Sequence, residues 1–151
     1  MAGVALVVSL VVSAVALVTG AWGAWLWQRL EADPRYWIGV RATQAGALLL
    51  TLLAGAVWLA PDSEPDNWLF WLYALLPLAV SLVAEQLRIV AAEQVLERRG
   101  LEGAADVRGL DEPAQRAIVR EIVRREVGVM AAAALVIAFL ALRIVAERGG
   151  L

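Results

Sequence analysis

The stretch AGVALVVSLVVSAVALVTGAWGAWLW, residues 2–27, runs for 26 residues without a charge. A bilayer's hydrocarbon core is about 30 Å thick and takes roughly 20 helical residues to cross, so this segment spans it with residues to spare. Polar and apolar residues do not alternate along it, which argues against a barrel strand. It ends in Trp22, Trp25 and Trp27. Indole rings favour the headgroup layer, where the apolar body and the N–H are both accommodated. The stretch is a membrane helix with an interfacial end.

The rest of the chain repeats this design. Residues 42–60, 67–84 and 127–142 form uncharged runs of 19, 18 and 16 residues. The last covers only about 24 Å at 1.5 Å per residue, and Arg125 and Arg143 extend it by snorkelling to the interfaces. Trp37 opens the second run, Trp58 closes it, and Trp68 and Trp71 open the third. The expected fold is therefore all-α: a polytopic membrane four-helix bundle forming a single domain over residues 1–151. Its crossings fall at about 3–27, 37–60, 68–90 and 126–146. The N-terminal Met1-Ala2-Gly3 carries no basic residue, and the apolar stretch behind it is about twice the length of a signal peptide's core. It is expected to stay as the first helix.

Composition narrows the chemistry. The chain is 62% hydrophobic, with mean hydropathy +0.72, well above an ordinary soluble domain. It has no cysteine and no histidine. Disulfides, thiol catalysis, thiolate zinc and bis-histidine haem are excluded, and the commonest general base is missing. No metal and no cofactor are expected.

All 13 basic residues are Arg, and their placement orients the bundle. Arg29, Arg35 and Arg41 follow the first run, and eight more lie between the third and fourth runs, from Arg88 to Arg125. The connection Pro61–Asp66 has three acids and no Arg, and the C-terminal end adds only Arg143 and Arg148. The positive-inside rule counts Lys and Arg and largely ignores acids. It places both termini outside and residues 88–126 in the cytoplasm, and the Ala/Gly/Val/Leu/Arg-rich vocabulary, common in GC-rich bacterial genomes, makes a bacterial inner membrane the expected location.

Those residues read as a helical hairpin. The third helix continues past Glu85 and stops at Gly100, a C′ glycine. Asp111 is a fitting N-cap, followed by Glu112 and Pro113 in the first turn. A short helical turn fits residues 102–108. Ala92, Val95 and Leu96 are expected to pack against Ile118, Ile122 and Val123, while Arg116, Arg120 and Arg124 line another face. The hairpin can serve as structure, as a partner-docking surface or as a contact for anionic lipid. Residues 85–126 hold nine acids against eight arginines, so a purely lipid-binding patch is disfavoured and nucleic acid is not a partner.

Within the crossings, small or polar residues recur at helical spacing. The stripes are Ser9, Ser13, Ala16, Gly20 and Gly23; Arg41, Gln44, Thr51 and Gly55; Ala74, Pro77, Ser81, Glu85 and Arg88; and Ala131, Ala134, Ala138 and Ala141. Association in lipid relies on close backbone approach and interhelical hydrogen bonds, so these stripes should face inward. Ser9, Ser13 and Thr51 are expected to bond back to their own helices. Arg41 and Glu85 fall at one depth, about 5–7 Å from the inner interface at 1.5 Å per residue. A lone charge there is costly. A network of Arg41, Gln44, Glu85, Gln86 and Arg88 answers that cost and is the candidate binding site.

Arg41–Gly46, Leu75–Val80 with Ala84–Arg88, and Gly128–Met130 resemble a family of small four-helix bacterial membrane proteins with no assigned activity. That resemblance implies architecture and no catalytic residue. Three functions compete. The first is a non-enzymatic assembly, scaffold or regulatory subunit acting through the hairpin, with the bilayer and a protein partner or second copy as its contacts. The second is an oligomeric transporter or channel for ions or small solutes using the polar cluster. The third, an intramembrane enzyme, has only Glu, Asp, Tyr and Arg to work with. The first is preferred.

Overall fold

In a computed structural model of the chain, the described residues are 2–31, 33–59 and 68–149, and among them every regular element is helical. The helices are α1 (Ala2–Arg29), α2 (Tyr36–Trp58), α3 (Trp68–Arg98), the short α4 (Ala104–Arg108) and α5 (Glu112–Gly149). α1, α2, α3 and α5 are each long and apolar enough to cross a membrane. The acidic connection 61–66 lies outside the described residues.

The four long helices form a closed square. α1 packs on α2 and α5, α3 packs on α2 and α5, and α1 and α3 sit on a diagonal without contact. Neighbours run antiparallel, since Gly23 meets Tyr36 while Gly46 meets Val12, and Gly20 meets Leu135 while Gly128 meets Trp27. Short connections between sequential helices produce this up-and-down order. α3 and α5 hold 31 and 38 residues, roughly 46 and 57 Å at 1.5 Å per residue. Both outrun a 30 Å core, and their polar ends pair as a hairpin closed by α4.

The hairpin's turn follows its residues. Gly100 takes φ +67°, its N–H donates to the Glu97 carbonyl at 2.9 Å, and the Leu101 N–H donates to the Leu96 carbonyl at 3.0 Å. These are the two bonds of a Schellman C-cap, and glycine adopts the left-handed position without strain. Val95 and Ile118 are fully enclosed, whereas Ile122 is half-buried. Val123, half-buried, packs against the core cluster of Leu26, Tyr36, Val40, Ala84, Val127 and Met130. Arg99 donates to Glu121 at 2.8 Å across the hairpin, and Arg116 pairs with Glu112 along one helix. The hydrogen bond from Arg99 holds the Glu121 carboxyl below the usual carboxylate range.

The α1–α5 seam is built by small residues. Ser9, Ser13, Ala16, Gly20 and Gly23 are all buried, as are Ala131, Ala134, Ala138 and Ala141. A Cβ on Gly20 would stand 2.7 Å from Leu135, and one on Gly23 would stand 2.5 Å from the Tyr36 hydroxyl. The α3 stripe also faces inward, with Ala74, Pro77 and Ser81 buried.

Two expectations need correction. In α2 the buried face is Tyr36, Val40, Thr43, Ala47, Leu50 and Ala54, while Arg41 is exposed and Gln44 and Thr51 are half-buried. Arg41 and Gln44 edge the α3 seam instead of filling the core, because their partner Glu85 sits at the rim. The hydroxyls also reach further than expected. Ser13 donates across the seam to the Ala138 carbonyl at 3.0 Å, and Thr51 reaches the Ala74 carbonyl at 2.8 Å as well as its own Ala47 carbonyl at 3.2 Å. Close approach brings a neighbouring helix's carbonyl as near as the residue's own. Ala74 lies three residues before Pro77, in the turn whose hydrogen bonding that proline disrupts.

Candidate functional site

The loop into α2 is set by Asp33, whose side chain accepts from the Arg35 N–H at 2.9 Å and whose carbonyl accepts from the Tyr36 N–H at 3.0 Å. Tyr36 is fully buried among Leu26, Val40 and Met130. With that end anchored, helical geometry carries Trp37, Arg41 and Gln44 along one side of α2, toward α3.

Glu85 on α3 meets them. Its Oε1 accepts from the Arg41 guanidinium at 2.9 Å and from the Gln44 amide at 2.7 Å, while Gln44 accepts from Arg41 at 2.7 Å. The second oxygen, Oε2, pairs with Arg88 at 3.0 Å, one turn further along α3. The Arg88 guanidinium lies over the Trp37 ring at 5.1 Å, within cation–π range. Its Nε is buried without a hydrogen-bond partner. The Arg41 side chain is 62% exposed against 24% for Glu85, so the network is more enclosed on the α3 side and open on the α2 side.

Four of the five residues singled out from the sequence thus converge. The fifth, Gln86, is exposed and forms no part of the network. One residue step turns it about 100° around the helix from Glu85. Two participants were not singled out. Trp37 appears in the sequence only as an interfacial marker, although it stands one turn before Arg41. Glu126 on α5 lies within electrostatic reach of both Arg88 and Glu85, and nothing in the sequence links α5 to that depth except its position at the edge of the fourth uncharged run.

The chemistry of the arrangement is that of a clamp. One carboxylate receives three donors from two helices, so little of its accepting capacity is left for a substrate. Beside it, a void of about 10 Å³ is lined by Gln44, Ser81, Ala84 and Met130 among others, barely the space of one water. A second void of about 10 Å³ lies deeper, at Ser9, Leu50 and Ala74. Larger concavities of about 580 and 650 Å³ occur on the outer surface, on either side of Trp27. No group of three or more potential metal-binding side chains occurs among the described residues. Compared with known protein families, curated proteins and solved structures, the chain matches none.

Proposed function

We propose that the chain is a non-enzymatic multi-pass protein of a bacterial inner membrane, an assembly or scaffold subunit that displays its helical hairpin to the cytoplasm. The arginine distribution supports that orientation, with both termini outside. One observation carries the function: among the described residues, the voids at Gln44–Ser81 and at Ser9–Leu50 hold about 10 Å³ each, while the concavities of 580 and 650 Å³ lie outside. A packed interior suits binding at the surface better than passage through the middle. The Glu85 clamp then fixes the α2–α3 seam next to the hairpin and keeps the displayed surface rigid.

The experiment is site-specific photo-crosslinking in the native membrane. Probes at Glu97, Arg98 and Arg108 on the hairpin should give a discrete protein adduct, and probes at Leu52 and Phe139 on the bundle's outer face should not. Ile118→Asp, which places a carboxylate in the enclosed hairpin, should abolish that adduct. A transporter or channel built from several copies is favoured by one feature, the open flank of Arg41. Solute flux in proteoliposomes that disappears in Arg41→Gln, with no hairpin adduct, would replace the scaffold reading.

A further inference from the structure

The groove of about 580 Å³ lies between the end of α1 and the first turns of α5. Its floor is apolar, with Trp27, Leu30, Val119 and Val123, and Arg116, Arg120 and Arg124 line it from α5. Two acids line it as well, Glu31 and Glu112, and Glu112 is tied to Arg116 at the outer end. Arg124 lies over the Trp27 ring at 5.3 Å, and among the described residues it has no carboxylate partner and Arg120 has no hydrogen bond or ion pair. Among the described residues, two guanidinium groups without a carboxylate partner therefore share the groove with one unpaired acid, Glu31, above an apolar floor.

Depth identifies what such a groove takes. Val127 begins the uncharged run of α5, and Arg124 and Arg120 lie about 4.5 and 10 Å before it along the axis. The headgroup layer extends roughly 5–8 Å beyond the hydrocarbon core, so both flexible side chains reach it, while Arg116 lies beyond. We infer that this groove binds an anionic phospholipid, whose phosphate sits between Arg120 and Arg124 while an acyl chain runs over Trp27 and Val123 toward the hydrocarbon. The inference needs the chain to be embedded in a bilayer, but not that its hairpin has a partner.

The test is native mass spectrometry of the purified full chain in detergent, titrated with phosphatidylglycerol or with phosphatidylcholine of identical acyl chains. Phosphatidylglycerol should bind more tightly, and R120Q/R124Q should erase that preference by roughly fivefold per arginine. R120K/R124K should keep most of it. The control R98Q/R108Q removes the same charge elsewhere and should leave it unchanged. Val123→Trp, which fills the groove without altering charge, should weaken both lipids. Equal affinity for the two lipids, or an equal loss in the control, would overturn the site. Displacement of the lipid by millimolar inorganic phosphate would overturn the lipid as occupant, leaving a soluble phosphate ligand in its place. Helicity and melting of each variant, followed by circular dichroism, separate loss of binding from loss of fold.

Discussion

The α1–α5 seam and the α2–α3 seam do the same task by opposite means. At the first, glycine and alanine let two backbones approach until a single Cβ on Gly20 or Gly23 has no room. At the second, Glu85 draws in Arg41, Gln44 and Arg88, and Thr51 reaches the Ala74 carbonyl. In the membrane proposed for the chain, lipid tails are as apolar as leucine, so neither seam would gain from hydrophobic exclusion. Dispersion over a close fit holds the first seam along most of α1, from Ser9 to Gly23 beside Tyr36. Charged hydrogen bonds suit a seam near the interface.

The sharpest way to break the comparison is overpacking. Gly23→Leu should destabilise the bundle most, by about 3 kcal/mol, because its side chain meets both the Tyr36 hydroxyl and Ala131. Unfolding in mixed micelles with increasing dodecyl sulfate measures it. The same substitution at Gly55, where an added Cβ meets nothing, should be nearly neutral.

The polar seam should respond differently. Glu85→Gln leaves Arg41 and Arg88 without their carboxylate and should cost roughly 1–2 kcal/mol. Arg41→Gln should cost less, since its side chain is 62% exposed and screened by solvent. The double variant should recover part of the sum, with a coupling of about 0.5 kcal/mol or more. Strict additivity would show that the pair is not a unit.

Smaller still are the hydroxyl bridges. Ser13→Ala and Thr51→Val should each cost about 0.6 kcal/mol in the same unfolding assay, the usual size of an interhelical hydrogen bond in a membrane. The smallest effect is one of pH. Glu121, held by Arg99, has its folded pKa below the ordinary 4.5. Its contribution to the hairpin is therefore complete above that value and lost as pH falls through the lower folded pKa. Proteolysis near Gly100–Gly109 should be flat from pH 7 to pH 5 and should not rise until pH falls below about 4.5.

Much of this was legible in the sequence, for reasons that also mark the limit. Uncharged length and tryptophan position located all four long helices, and Gly100 and Asp111 bracketed the hairpin turn. Small-residue spacing found the inner faces of α1, α3 and α5. It failed on α2, because a helix apolar enough to cross a membrane is apolar on both sides. Leu48, Leu49 and Leu52 are exposed while Leu50 is buried, and hydropathy cannot tell them apart. Arg41 and Glu85 were matched by counting residues from the interface, which works because helical rise is constant. The same count gives no azimuth, so Gln86 was included and Trp37 passed over. The cross-seam bonds of Ser13 and Thr51 depend on how closely two backbones approach, which no single helix encodes.

The orientation underlies both the scaffold proposal and the identity of the displayed surface, and one measurement addresses it directly. The chain has no cysteine, so single cysteines at Ser63, in the connection after α2, and at Ala104, in α4, are unique reporters. Intact cells treated with a membrane-impermeant maleimide should label position 63 at once and position 104 only after permeabilisation. Labelling of position 104 but not 63 in intact cells would invert the bundle and contradict the account.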